Sequence, residues 1–332
     1  MPAQLIAFGP LEAVRGRAVG RPWRMALDNA ARRMQGLELT FVGQTGDAPW
    51  LTFCLGDVSS AVGCSLPSRC SAIDDEGARR LAAWLPEHLR RLRLDFSGTS
   101  VGIEGARAVA SRLPHTLDTL HVGFSARGWG KGSWRAHRPA YSRARPAYSG
   151  DAIAGALAEG LRRTPGLRTL DVDLDSSGLT VAGACALANT LPARLRNLEL
   201  DLWACRIGDD GARAVVQRLR IGLRELTLNF SYSDVTDESL RVLARDLPTS
   251  VTRLILYFSG SAVTDEGVRA LAERLPGGVT FLWLEFGDTA VTVGSLRALG
   301  RRLCWCHRVQ VGRQRGARHL RWKQGEDVHI EV

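Results

Sequence analysis

The sequence predicts an α/β solenoid, in which helices on the outside cover an inner parallel sheet. Apolar residues recur about every 28 residues, with two longer intervals, which is the first observation behind this fold class. The second is that each repeat has a strand pattern followed by a helix pattern. Neither element could bury its apolar face alone, so successive repeats must stack on one another. The repeats start at Met34, Leu89, Leu117, Leu167, Leu195, Leu223, Val251 and Val279.

The repeat at 251–278 illustrates both elements. Its first part alternates in period two, which is typical of a strand with one buried face, at Leu254, Leu256 and Phe258. Apolar residues then follow at helical spacing, at Val263, Val268, Leu271 and Leu275. Thr264 is the predicted N-cap, and the two acidic residues after it suit the positive end of the helix dipole. Pro276 marks the end of the helix.

This pattern resembles the leucine-rich repeat family, and its long-repeat branch typified by ribonuclease inhibitor, over residues 34–303. The resemblance implies a horseshoe of about eight repeats. The family usually has Asn or Cys three residues after the third leucine, but this chain has Ser97, Ser125, Asp175, Trp203, Ser231, Ser259 and Gly287. One residue earlier stands an apolar side chain that we expect to extend the buried strand: Phe96, Phe124, Leu174, Leu202, Phe230, Phe258 and Phe286.

Segments outside the regular repeat define the predicted domain organisation. Residues 1–33 are interpreted as an N-terminal capping segment, and residues 304–332 as a β-rich C-terminal cap, since end repeats need covering. Two repeats are overlong, with insertions at about 42–72 and 125–149. Both insertions fall between a strand and its helix, so we expect them to project from one edge of the solenoid.

Composition indicates a protein of a reducing compartment without a membrane span. No apolar run is long enough to cross a membrane, and no signal peptide is predicted. Seven cysteines, an odd number, favour free thiols in the cytoplasm, with the nucleus as an alternative. Two groups could instead hold a metal, but we favour no metal and no cofactor: Cys54, Cys64 and Cys70, and Cys304, Cys306 and His307. No catalytic motif is present, so an enzyme is not predicted.

Residues between the buried leucines of each strand form what we call the concave face, the surface of the sheet opposite the helices. It begins basic at Arg91 and Arg93, and His121 is the one histidine of interest. Its centre is acidic, at Asp171, Asp173, Glu199, Asp201 and Glu225. Its far end is expected to expose apolar and aromatic side chains, at Ile255, Tyr257, Phe281 and Trp283. A solvated surface and a partner site are both compatible with this pattern.

The second insertion mixes cations with aromatic rings. It contains Trp129, Trp134, Arg135, Arg138, Tyr141, Arg143, Arg145 and Tyr148, and it carries no acidic residue. A low-complexity segment without a ligand is one interpretation. Nucleic-acid binding and a protein-binding anchor are the alternatives.

The leading hypothesis is therefore a non-enzymatic, monomeric scaffold. It would bind a protein partner, a basic one at the acidic centre, through the concave face and the edge that bears the insertions. A nucleic-acid-binding accessory protein that uses residues 125–150 is the alternative. A regulatory subunit in ubiquitin ligation or GTPase control is a third possibility, and it follows from the fold resemblance alone.

Overall fold

The computed structural model describes residues 73–125 and 149–303 in full, and the backbone of six further strands. The strands form one sheet of 13 in the order β13-β12-β11-β10-β9-β8-β7-β6-β5-β4-β1-β2-β3. They are β1 (Gly36–Phe41), β2 (Leu51–Leu55), β3 (Cys64–Ser65), β4 (Arg91–Asp95), β5 (Thr119–Gly123), β6 (Thr169–Asp173), β7 (Asn197–Asp201), β8 (Glu225–Asn229), β9 (Arg253–Tyr257), β10 (Phe281–Glu285), β11 (Arg308–Val311), β12 (His319–Lys323) and β13 (His329–Glu331).

Helices alternate with the strands along the central part of the chain. They are α1 (Asp75–Trp84), α2 (Ile103–Ser111), α3 (Gly150–Leu161), α4 (Val181–Ala188), α5 (Gly208–Gln217), α6 (Asp237–Asp246), α7 (Asp265–Arg274) and α8 (Val293–Arg302). Strands β4 to β10 are all parallel, and each helix packs against the next helix along the chain. This arrangement confirms the predicted α/β repeat solenoid with an inner parallel sheet and outer helices. None of the helices in the described ranges is long and apolar enough to cross a membrane.

The core follows the repeat period without a shift in register. Leu170 pairs with Leu198, Leu198 with Leu226 and Leu226 with Leu254 on neighbouring strands. The residue after each strand is also fully buried, at Phe96, Phe124, Leu174, Leu202, Phe230, Phe258 and Phe286. The rings of Phe258 and Phe286 stack at 6.1 Å between centroids, and those of Phe96 and Phe124 approach to 5.2 Å. The apolar residue that replaces the usual pattern therefore extends the core.

Serine side chains connect some of the turns that follow the strands. Ser97 Oγ accepts a hydrogen bond from the Ser125 N–H at 3.2 Å, and Ser231 Oγ accepts one from the Ser259 N–H at the same distance. Each bond spans one repeat of 28 residues. Ser97 and Ser231 thus join consecutive turns by hydrogen bonds from a backbone N–H to a side-chain hydroxyl.

A second row of polar contacts joins the helix N-termini, and we call it the aspartate ladder (Asp75, Asp151, Asp209, Asp237 and Asp265). Each carboxylate, in the first turn of one helix, accepts hydrogen bonds from the N-terminus of the next. Asp209 accepts from the N–H and hydroxyl of Thr236, at 2.9 and 2.7 Å, and from both donors of Ser239. The ladder therefore fixes the spacing of the helix layer while the strands fix that of the sheet.

Both ends of the parallel sheet continue into other strands. The segment predicted as the first insertion contains β2 and β3, and β2 pairs antiparallel with β1 on the side away from β4. Beyond β10, β11 is parallel, and β12 and β13 are antiparallel. Residues 1–33 lie outside the described residues.

The aspartate ladder leads to a stability prediction for Asp209→Asn. Burial alone would raise the pKa of the Asp209 carboxyl, but hydrogen bonds from Ser239 and Thr236 outweigh it and lower the pKa. Because bonds to a charged group are strong, we expect Asp209→Asn to reduce the free energy of unfolding by about 1–2 kcal/mol at pH 7. Urea unfolding checks this value.

The pH dependence and a neighbouring residue supply the controls. A lowered carboxyl pKa stabilises the fold above the ordinary value of about 4, and this contribution is lost as the pH falls through the folded-state pKa. The difference between the wild type and Asp209→Asn should therefore shrink below about pH 4. Asp210→Asn, which changes an exposed carboxylate in the same turn, should stay within about 0.5 kcal/mol. Equal losses from both substitutions would contradict the ladder.

Candidate functional site

The concave face consists of three rows of side chains at the first, third and fifth positions of β4 to β10. Residues of a row are paired in register on adjacent strands, which lie about 4.8 Å apart. The residues between them are buried leucines and valines of the core. Side chains that are 28 residues apart in sequence, or 50 across the second insertion, are therefore direct neighbours on this face.

The basic end of the face leads into a histidine–aspartate pair. His121 and Asp171 are register partners on β5 and β6, and Nδ1 of His121 lies 2.7 Å from Oδ2 of Asp171. The Asp171 side chain is only 5% exposed, whereas that of His121 is 32% exposed. Asp171 is thus part of the sheet's own packing, and it is the imidazole that a partner would reach. This corrects the expectation that Asp171 belongs to the solvent-facing acidic surface.

Two residues of the acidic centre also hold the turns that follow their strands. Oδ1 of Asp173 accepts a hydrogen bond from the Asp175 N–H at 3.0 Å, and Oδ1 of Asp201 accepts one from the Trp203 N–H at 3.1 Å. Asn229 makes the same bond to the Ser231 N–H on β8. The amide at this position shows that the turn needs the acceptor oxygen and not the charge. The charges of Asp173 and Asp201 are therefore separable from their structural role.

The glutamates extend the acidic centre across β7 and β8. Glu199 is the register partner of Asp171, and it is half-buried. Glu225 lies at the first position of β8 and is exposed. Together with Asp173 and Asp201, they place four carboxylates on three neighbouring strands, as the sequence indicated.

The aromatic end of the concave face is less open than expected. Ile255, Tyr257, Phe281 and Trp283 are half-buried rather than exposed. The guanidinium carbon of Arg253 lies 3.9 Å from the centroid of the Phe281 ring, in a cation–π contact. This end is therefore a mixed surface with a cation over a ring, and its apolar side chains are only partly exposed.

Other candidate residues lie beyond what the structure describes. The insertion residues Trp129 to Tyr148 fall in the range 126–148, and the side chains of Cys54, Cys64, Cys70, Cys304, Cys306 and His307 are also outside the described part. Among the side chains in 73–125 and 149–303, no group of three His, Cys, Asp or Glu is placed to hold a metal ion. Burial raises the pKa of the Cys205 thiol to about 12, which keeps it protonated and unreactive.

A feature that sequence reasoning missed lies on the loops after β6 to β10. The residue two positions after the buried aromatic or leucine has a left-handed backbone in five successive repeats, at Ser176, Ala204, Tyr232, Gly260 and Asp288. The Tyr232 ring crosses Gly260, and its hydroxyl donates to Oδ2 of Asp288 at 2.8 Å. Trp203 packs beside it, with centroids 5.1 Å apart. The sign of this feature in the sequence is that Gly260 stands at the repeat position that the large residue Tyr232 occupies one repeat earlier.

Comparisons with known proteins give limited likenesses. No family model and no curated protein matches the chain. A chain in the crystal structure of the yeast Rad7 and Elc1 complex is 18% identical, with a TM-score of 0.45, over 70% of this chain and 52% of that chain. This chain thus spans about half the length of the yeast chain. A Bacteroides fragilis protein is 13% identical, with a TM-score of 0.29, over 80% of this chain and 94% of that chain. Both TM-scores are below 0.5, so the fold assignment depends on the repeat geometry above.

The Tyr232 contact leads to a prediction for Gly260→Ala. A Cβ at Gly260 would lie 2.5 Å from the Tyr232 ring, and its backbone φ of +66° disfavours any side chain. We expect a loss of about 2 kcal/mol in the free energy of unfolding, measured in urea. Gly277→Ala, where a Cβ meets no atom within 4 Å, is the control.

A double-mutant cycle separates the two causes of this loss. In a Tyr232→Ala background the ring is absent, so Gly260→Ala should retain only the backbone cost, about half of the total. An identical loss in both backgrounds would show that the ring contact contributes nothing.

Proposed function

We propose that the protein is a non-enzymatic scaffold that binds a basic protein partner at the acidic centre of its concave face. The observation that carries this proposal is the register of β6, β7 and β8, which places Asp173, Asp201, Glu199 and Glu225 on adjacent strands. A segment rich in Lys or Arg would find several carboxylates within reach of one contact surface.

The charge arrangement supports a partner rather than a purely structural role. Asp173 and Asp201 are direct cross-strand neighbours, and like charges in such pairs destabilise a sheet. Asn229 shows that the turn bond itself does not require an acidic residue. A cationic partner would be attracted to this group of carboxylates, and their negative field would speed its approach.

Arginines on both sides of the acidic centre restrict where a basic segment can bind on the concave face. Arg91 and Arg93 lie at one side, and Arg253 over Phe281 lies at the other. A basic segment is favoured at the centre and repelled at both flanks, so its register on the face is restricted. This restriction supports one defined partner over general attraction of cations.

Further expectations accompany the proposal. We place the protein inside the cell, as a monomer, since the described thiols Cys185 and Cys205 are free and Cys205 is a core residue. The long repeat unit with one helix per strand supports the ribonuclease-inhibitor-like branch of the repeat family. The insertion 125–149 remains a predicted second contact on the edge after the strands.

The proposal predicts the effect of removing the charges without disturbing the turns. The variant Asp173→Asn, Glu199→Gln, Asp201→Asn and Glu225→Gln keeps the acceptor oxygens, as Asn229 does, and removes four negative charges. We expect its affinity for the captured partner to fall roughly tenfold or more at low ionic strength, and less at high salt, because screening already weakens the wild-type contact there.

The measurement has two stages. Affinity purification with mass spectrometry identifies proteins held by the wild-type chain, and calorimetry with the purified partner then compares the variants over a range of salt. The control is Asp95→Asn, Glu104→Gln, Glu159→Gln and Glu273→Gln, which removes the same charge away from the acidic centre. Asp95 makes the same turn bond, to the Ser97 N–H at 3.0 Å. Equal binding by the wild type and both variants would refute the acidic centre as the site.

A further inference from the structure

The edge of the sheet where the strands begin is organised by a row of backbone bonds. The residue before each strand joins the same position in the next repeat: the Arg196 N–H donates to the Arg168 carbonyl, and the Arg224 N–H donates to the Arg196 carbonyl, both at 2.7 Å. These bonds hold three arginines on consecutive strands, about 4.8 Å apart. The spacing is a property of the solenoid and does not depend on side-chain contacts.

Further arginines surround this row on the helix-to-strand loops of the same three repeats. We call the group the arginine edge: Arg162, Arg163, Arg168, Arg194, Arg196, Arg218, Arg220 and Arg224. All eight are exposed. The three loops (162–168, 190–196 and 217–224) contain no acidic residue and no aromatic residue.

The arginines of the helix layer are different, because carboxylates neutralise many of them. Arg79 and Arg80 pair with Glu76, Arg107 pairs with Glu104, and Arg241 pairs with Glu266 at 3.3 Å. No ion pair within the described residues involves a member of the arginine edge.

Two acidic residues that flank the arginine edge in the solenoid are already paired with other arginines. Asp118 is paired with Arg90 at 3.1 Å, and Asp246 is held by Arg245 through two bonds of 2.8 Å. Glu159, two residues before the end of α3, and Glu225, directly after Arg224, are close to the edge in sequence, and Asp171 and Glu199 lie at the third positions of β6 and β7. Four carboxylates, one of them paired with His121, against eight guanidinium groups still leave a positive surface.

We propose that the arginine edge binds the phosphate backbone of a nucleic acid. Each phosphate has two non-bridging oxygens that share one negative charge, so it can accept from two neighbouring guanidinium groups at the spacing of adjacent strands. A nucleic acid strand carries one charge per about 3.4 Å of helix axis, whereas an extended acidic peptide presents one on a given face only every two residues, about 6.6 Å, so the nucleic acid matches the charge density of the edge better. The absence of aromatic rings excludes base stacking at this edge, so the contact is independent of sequence.

The site is distinct from both surfaces considered above, and it meets the acidic centre only at Glu225. The arginine edge lies where the strands begin, whereas Ser125, at the start of the second insertion, follows the C-terminal end of β5. The acidic centre repels phosphate and so confines a nucleic acid to the edge. Binding here does not depend on the proposed protein partner.

The test measures binding of the full chain to a labelled 20-base-pair DNA duplex and to an RNA of equal length, by fluorescence anisotropy at several salt concentrations. The variant is Arg168→Gln, Arg196→Gln and Arg224→Gln. Because each lost phosphate contact reduces the slope of log K against log salt by about 0.9, we expect the slope to fall by about 2 to 3. Affinity at low salt should fall more than tenfold, equally for different base sequences.

The controls separate the arginine edge from the helix layer and from the second insertion. Arg107→Gln, Arg241→Gln and Arg269→Gln remove the same charge from the helix layer and should change affinity less than threefold. Deletion of residues 126–148 should leave the slope nearly unchanged, and thermal unfolding should show that every variant is folded. The proposal is overturned by no binding of the wild type at low salt, by equal losses in both triple variants, or by loss only on deletion of the insertion. Displacement of the nucleic acid by poly-glutamate at equal charge would show instead that an acidic protein segment is the ligand.

Discussion

The fold depends on the in-register stacking of one strand and one helix every 28 residues. A single repeat exposes the leucines of its strand and the apolar stripe of its helix, and only the next repeat buries them. Register pairs such as Leu198 with Leu226 and Leu226 with Leu254 show that this burial is repeated without a slip. A shift of one residue would turn every leucine of a strand to the concave face, so the register is strongly fixed.

Because the repeats stack in register, residues at the same position of successive repeats form a row along the solenoid. The left-handed position after each strand is an example, because it has a non-glycine residue in four described repeats: Ser176, Ala204, Tyr232 and Asp288. Such a conformation costs about 1 kcal/mol for a residue with a side chain. The N–H of Tyr232, for instance, donates to the Ser259 carbonyl at 2.7 Å, so the bond to the next repeat offsets the strain. Stacking therefore dictates the turn even where the local sequence disfavours it.

The sequence was sufficient for the rows whose signal is hydrophobic. The period, the strand cores and the buried Phe258 position follow from apolar spacing alone, and Thr264 indeed caps α7, with its hydroxyl 3.2 Å from the Glu266 N–H. The rows of polar contacts could not be predicted from the sequence, because each polar side chain binds a group in the next repeat. Asp265 was interpreted through its own helix dipole, whereas its carboxylate also binds the Thr292 N–H at 2.7 Å.

The distribution of charge over the surface was also not predictable from the sequence. Summed over residues 162–225, ten arginines stand against eight acidic residues, and this small net charge does not reveal a basic edge. Exposure was equally inaccessible, since Phe281 and Trp283 are covered by neighbours whose proximity depends on the fold. Sequence patterns thus located the concave face but not the separation of charge between that face and its edge.

The acidic centre and the arginine edge can carry opposite charges on one sheet because the length of a strand separates them. Asp173 and Asp201 lie five residues after Arg168 and Arg196, a distance of about 16 Å along an extended strand. This distance is twice the screening length of about 8 Å at physiological salt, so these carboxylates barely weaken the field at the arginine edge. Glu225, directly after Arg224, lies within that length and belongs electrostatically to both surfaces. Glu199, three residues after Arg196, lies at about 10 Å, so any coupling between a partner on the concave face and an anion on the edge passes mainly through β7 and β8.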